Sequence, residues 1–453
     1  MNSTLKQDFI TGFFRELGKR QKYSILRNYE SLPYNEGDDI DILINCNDTD
    51  ARNNTYQIIE ALGWQYYPKV VKDGFTAIVC FYTTSNSVEI CQLDIFTEFL
   101  WRNNKYIDND AVINTSLQYN ELYCVSDKGA ASAVVIIKEL LGSGKIRKKY
   151  WDSIPRDLQE NKQSFFKCLT PIYGQELVKK IYSFGIEGKI EQYPSLVSQI
   201  KRDIAKQRTR SYLSYSFNAL VSRIKKWFQP DGKMIAFVGP DGSGKTTLIA
   251  NEENYLERFF PHNSVVFHRR YEIFPELHTG LGVSSMKGKI TTGSSQLTDD
   301  PKKEKKVKRS LLSKVATWTV VIYYTIEYMV GNIKANRLLR NRTLILYDRY
   351  YYDHFVQPTS RDLIWPMRKI LLALIKKPDL IIHLIASGEI IFKRKQDLNR
   401  EEIDIQNRYM SRILGCCDNV IDIYTDNRNA DEVAAETFRT IISKLYGIDV
   451  KEN

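Results

Sequence analysis

The clearest chemistry in this chain lies in the stretch from Gly239 to Thr246, which reads G-P-D-G-S-G-K-T and fits G-x-x-x-x-G-K-[ST] in full. Gly239, Gly242 and Gly244 let a backbone wrap a phosphate without Cβ clashes. The N–H groups of the loop then point inward, reinforced by the positive end of the helix that follows. Lys245 reaches the outer phosphates of a nucleoside triphosphate, and Thr246 offers its hydroxyl to Mg²⁺. The expected nucleotide-binding set is Gly239, Asp241, Gly242, Ser243, Gly244, Lys245, Thr246 and Thr247, with ATP and Mg²⁺ as ligands.

Two further segments add charge where such chemistry needs it. "TLILYDRYYYDHF" is a β-rich apolar run ending at Asp348 and Arg349. Ligands of parallel α/β sheets lie beyond the carboxyl ends of the strands. Asp348 is therefore placed to hold Mg²⁺ or its water, and Arg349 to neutralise a transferring phosphoryl group; the plainer alternative is a strand-end ion pair. "SGEIIFKRKQDLNREEIDIQNRY" is dense in charge. Its Arg394 and Arg400 could close over the phosphates as a lid that excludes water, or could belong to a surface helix salt-bridged by Glu401 and Glu402.

A third constellation stands near the N-terminus. "GDDIDILIN" puts Asp39 and Asp41 two residues apart on a strand, hence on one face. "CQLDIFTEF" supplies Asp94 on another strand. Three such carboxylates could hold two Mg²⁺ ions that activate a hydroxyl and steady a leaving pyrophosphate. No histidine precedes His262, so carboxylates must do any acid–base or metal work in this half.

The elements that must position these residues follow from the pattern of the chain. Its 453 residues suggest two or three domains. Strand and helix patterns mix up to about residue 127, helices dominate residues 128–229, and strand and helix alternate from residue 230 to 453. The last is the signature of a doubly wound α/β domain; the first reads as α+β with a helical extension. The net charge of +11 points to anionic partners or to a solvated basic face. "RIKKWF" and "KKEKKVKR" are basic runs, the latter within a polar loop spanning Ser284 to Ser310 that should be mobile. Seven scattered cysteines without a C-x-x-C pair suggest a reduced, cytoplasmic setting. No segment suggests a signal peptide or membrane span; "VATWTVVIYYTI" is too short to cross a bilayer and reads as a buried helix. A peripheral membrane or other anionic partner and a homodimer stay open.

"GPDGSGKTT", the strand-end "DRY", the "KPDLIIHL" strand and the arginine-bearing lid, in this order, resemble the thymidylate kinase family of P-loop nucleoside monophosphate kinases. The closer likeness is to thymidylate kinase-like proteins of bacterial surface-polysaccharide loci. The resemblance covers about residues 233–444. It implies an ATP- and Mg²⁺-dependent kinase in which Asp241 faces the acceptor and Arg349 sits between donor and acceptor phosphates. The family's "LD" aspartate is missing, since this chain reads "LIASGE" there, so the implied acceptor is a small molecule or glycan rather than dTMP. Asp39, Asp41 and Asp94 in their order resemble polymerase-beta-type nucleotidyltransferases over about residues 5–127. The Gly-Ser turn that family uses for the triphosphate is absent. The alternative reading is a nucleotidyltransferase with a regulatory P-loop half, or a nucleotide-binding protein without turnover.

Overall fold

The computed structural model describes residues 3–34, 39–206, 231–260, 264–274, 311–356, 365–394 and 400–452. The runs at 223–228 and 302–309, and the loop spanning 284–310, lie outside the described residues. The chain divides into two units, residues 1–82 with 88–224, and residues 83–87 with 225–453.

In the N-terminal unit the strands are β1 (Tyr23–Ile25), β2 (Ile40–Ile44), β3 (Gln65–Lys72), β4 (Phe75–Thr83), β5 (Val88–Phe96), β6 (Leu100–Trp101), β7 (Asn104–Lys105), β8 (Leu117–Tyr119) and β9 (Tyr123–Val125). Seven of them form one mixed sheet in the order β3-β4-β5-β2-β1-β9-β8. The period of two sorts β2 and β5 cleanly. Ile40, Ile42, Ile44, Leu93 and Ile95 enter a core with the helices Ser3–Arg20 and Asp48–Ala61, through side chains such as Phe13 and Ile58. Leu43 and Phe96 enter the opposite core, with Ile137 and Leu140 of the helix Lys128–Gly142. β2 runs parallel to β5 with Asp41 directly opposite Asp94. The helix at residue 48 is capped by Asn47, whose side chain accepts from the Asp50 N–H at 2.9 Å. Asp48, in the first turn, accepts from the Gly74 N–H at 2.9 Å.

The C-terminal unit carries β10 (Lys233–Val238), β11 (Val265–His268), β12 (Leu344–Asp348), β13 (Leu380–Ile385) and β14 (Val420–Tyr424). All pair in parallel, in the order β11-β12-β10-β13-β14. β10, which feeds the glycine-rich loop, is therefore central and its apolar residues are buried. Beneath β12 lies an aromatic layer in which Tyr271, Tyr328, Tyr347, Tyr350 and Tyr351 are all buried. The helix Leu311–Arg340 contains the "VATWTVVIYYTI" segment. It is only half buried: Val321, Tyr324 and Thr325 point into the core, whereas Ile322 and Ile326 are exposed. Among the described residues no helix is long and apolar enough to cross a membrane.

Candidate active site

The loop after β10 is shaped by its glycines. Gly239 has φ 145°, and a Cβ there would lie 2.5 Å from the carbonyl oxygen of Leu384, so only glycine fits. Gly244, with φ 97°, begins the helix Lys245–Leu256. Lys245 is buried at the head of that helix and burial lowers its pKa. Its Nζ donates to the carbonyls of Gly239 at 2.8 Å and Pro240 at 2.7 Å. Asp241 Oδ1 lies 3.9 Å away. Thr246 and Thr247 are exposed.

The parallel register Phe237↔Asp348 brings the end of β12 beside this loop. Thr246 Oγ1 donates to Asp348 Oδ2 at 3.3 Å. Asp348 Oδ1 and Ser243 Oγ are buried with no hydrogen-bond partner in the protein. Orphaned acceptors of this kind are rare in native interiors. A hydroxyl and a carboxylate side by side, with a free carboxylate oxygen and inward loop amides, suit a magnesium–triphosphate group. Arg349 is bound to Asp241 through its Nη2 and takes the left-handed conformation, φ 67°. A non-glycine residue held there costs about 1 kcal/mol or more, and such strain concentrates at functional positions.

Two residues join the site that sequence reasoning missed. Arg269, directly after β11, also has a left-handed φ of 63°, and its N–H donates to the Asp348 carbonyl at 2.8 Å. Its Nε and Nη2 are buried without a partner. The visible signal was the parallel between "VVFHRR" and "LILYDR": each strand ends and an arginine follows. Asp353, five residues past Asp348, is buried beside Lys245, Arg349 and Arg269. Burial pushes its pKa up to about 6 against the pull of those cations. Arg394 ends the helix Gly388–Arg394 and donates to the Thr425 carbonyl at 3.0 Å rather than to any residue of the loop. Arg400 lies over the Phe392 ring.

Asp353 makes stability pH-dependent. Its folded pKa, about 6, exceeds the ordinary carboxyl value of 3.8. The folded state thus holds a proton that the unfolded chain has lost between pH ~4 and ~6, and stability falls as pH rises through that window. The full effect is about 3 kcal/mol for a shift of this size. Denaturant melts of wild type and Asp353→Asn should match near pH 4 and separate by pH 7, with the variant the more stable. Parallel pH profiles would remove Asp353 as the cause.

The N-terminal carboxylates are arranged differently from the expected metal centre. Asp41 and Asp94 share a face as register partners. Asp41 is buried, and its Oδ2 is bound to the Arg27 guanidinium, which also donates to the Tyr150 hydroxyl at 2.6 Å. Lys138 Nζ lies 3.8 Å from its Oδ1. Asp94 accepts from Gln92 Nε2 at 2.8 Å, and burial first, then the neighbouring Asp41, raise its pKa to about 6. Asp39 is half-buried just before β2. Among the described residues no group of three or more His, Cys, Asp or Glu is disposed to hold a metal ion. The cations nearest Asp41 are the protein's own Arg27 and Lys138.

No protein-family model matches the sequence, and a search of curated proteins finds no match. Solved structures similar to part of the chain include thymidylate kinase from Candida albicans, at 18% identity over 47% of this chain and 92% of that one, with a TM-score of 0.30. Thymidylate kinase from Ehrlichia chaffeensis is 14% identical over 47% of this chain and 100% of its own, with a TM-score of 0.29. Deoxyadenosine kinase from M. mycoides with bound dATP is 13% identical over 45% and 97%, with a TM-score of 0.26.

Proposed function

We propose that the C-terminal unit, from residue 230 onward, is an ATP- and Mg²⁺-dependent phosphotransferase acting on a small-molecule or glycan-linked acceptor. The observation that carries this reading is the Thr246–Asp348 pair, 3.3 Å apart beside buried Lys245. Lys245 exchanges the two loop carbonyls for phosphate oxygens, which are stronger acceptors because they are charged. The loop amides orient the triphosphate, and Thr246 and Asp348 would hold Mg²⁺. When bound, the metal neutralises phosphate charge. Arg349 leaves Asp241 and turns its planar fork to the transferring group, while Asp241 is freed toward the acceptor. Arg394 would have to release Thr425 before it could act as a lid.

The N-terminal unit is read as a nucleotidyltransferase-like domain over residues 1–127 with a helical substrate-binding or linker region over 128–229. Arg27 on Asp41 weighs against a working nucleotidyltransferase there. The "LIASGE" stretch after β13 predicts that dTMP is a poor acceptor or none. The protein with MgATP should form little dTDP from dTMP in an acceptor panel of nucleoside monophosphates and sugars read by mass. Efficient dTDP formation would return the C-terminal unit to ordinary thymidylate kinase chemistry, and transfer of a nucleotidyl group instead of a phosphoryl group would overturn the reading.

A further inference from the structure

Two neighbouring groups of opposite charge at the candidate active site leave polar atoms unsatisfied. Asp353 is 6% exposed, and its Oδ1 has no hydrogen-bond partner in the protein. Arg269 Nε and Nη2 are buried and likewise unpartnered. Both residues are anchored at the end of β12, beside the glycine-rich loop. The Arg269 N–H donates to the Asp348 carbonyl, and the Asp353 N–H to the Tyr350 carbonyl at 3.0 Å. Burial pushes the Asp353 carboxyl up to about 6, and Lys245, Arg349 and Arg269 pull it back, in that order. Buried polar atoms in native interiors nearly always have a partner. An acceptor and two donors left open as neighbours therefore suit a ligand group that can serve both.

We infer that the acceptor presents a hydroxyl, held by Arg269, and that Asp353 Oδ1 takes its proton as the oxygen attacks. The inference rests on the phosphotransferase reading above and narrows its substrate class. A hydroxyl is the smallest group that donates to a carboxylate oxygen and accepts from a guanidinium. A phosphate monoester, ionised at neutral pH, offers acceptors alone. Set against Asp353 it would leave Oδ1 unsatisfied and add a like charge in a buried place. The two kinds of acceptor also differ in what they ask of the protein. A phosphate attacks as an anion and needs no base, whereas an alcohol must lose its proton as it attacks. Asp241, the other carboxylate near the loop, is bound to Arg349 and has Lys245 Nζ 3.9 Å away. Asp353 is ionised at neutral pH, and its pKa of about 6 is close to the range in which a general base works best. In the step, a bond forms between the acceptor oxygen and the γ-phosphorus. The bond from that phosphorus to the bridging oxygen breaks, and its electron pair leaves with ADP. The hydroxyl proton passes to Asp353 Oδ1 and from there to solvent, so the products are a phosphate monoester and ADP.

The test uses the full chain with Mg²⁺ and ATP labelled at the γ-phosphate. One tube receives a pool of neutral monosaccharides and nucleosides, another a pool of nucleoside monophosphates, and products are read by mass. Label should enter the first pool as phosphate monoesters and should form no diphosphates in the second. Asp353→Asn should lower that transfer by about 10²–10⁴-fold, the range for a positioned general base. Calorimetry should show the variant binding MgATP as the wild type does, which also reports that it is folded. Asp241→Asn should lose less than Asp353→Asn. Diphosphates from the second pool alone, near-normal transfer by Asp353→Asn, or a larger loss in Asp241→Asn overturns the inference and leaves a kinase. Transfer to neither pool overturns it too, and MgATP binding then separates the two readings. Binding that Lys245→Ala abolishes keeps the nucleotide site, whereas absence of binding removes the phosphotransferase reading as well.

Discussion

Lys245→Ala should abolish phosphoryl transfer and leave the C-terminal unit folded. Lys245 is 5% exposed; its ammonium donates to two carbonyls of its own loop, with Asp241 Oδ1 3.9 Å away. Burial lowers its pKa, so the folded protein already bears a cost for keeping the charge there. Deleting it removes that cost together with two charged hydrogen bonds worth about 1.5–3 kcal/mol each. The net change in stability is therefore small beside the loss of the cation that meets the phosphates. Removing one preorganised donor from a developing charge costs about 10²–10³ in rate, and Lys245 also orients the triphosphate, so a loss of about 10³-fold or more is expected. Steady-state ADP release checks the rate, and a melting curve checks the fold. Lys245→Met, which keeps the buried stem, should be equally inactive. Near-normal turnover in either variant would remove the loop from the chemistry.

Arg349→Ala should lower turnover far more than it weakens ATP binding. In this structure Arg349 is bound to Asp241 and held at φ 67°, a placement that serves no core. A positioned arginine on transferring phosphate is worth about 10³–10⁵ in the GTPase cases. We expect a fall in kcat of about 10³-fold or more with a small change in the KM for ATP, the pattern of an interaction made only in the transition state. Arg349→Lys should recover little, because a single ammonium lacks the planar fork. Equal losses in kcat/KM through KM alone would place Arg349 in ground-state binding instead.

The parts legible in the sequence are those where chemistry dictates residue type. A phosphate loop needs glycines and a lysine at set spacing, so Gly239 to Thr246 could be read directly. Asp348 was legible because strand ends in parallel sheets face ligands. The strands β10 to β14 were each visible as apolar runs. Arg269 and Asp353 were not, because their roles come from convergence: one follows β11, the other sits past β12, and only the pairing of β12 with both β11 and β10 gathers Arg269 and Lys245 around Asp353. The three N-terminal aspartates show the opposite limit. Their spacing implied a shared face for Asp39 and Asp41, and the register adds Asp94 opposite Asp41, but period-two geometry says nothing of what approaches that face. Arg27 from β1's end and Lys138 from a helix far along the chain do so. Likewise the apolar segment Val315–Ile326 implied a buried helix, whereas Val321 and Tyr324 are buried and Ile322 and Ile326 are exposed.

Transfer of the terminal phosphoryl group is read by following the label. The full-length protein, Mg²⁺ and an acceptor pool are incubated with ATP labelled at the γ-phosphate and, in parallel, at the α-phosphate. The γ-label should move to an acceptor, the α-label should stay in ADP, and Lys245→Ala should lose the transfer. Movement of α-label to the acceptor with release of pyrophosphate, unaffected by Lys245→Ala, would contradict it.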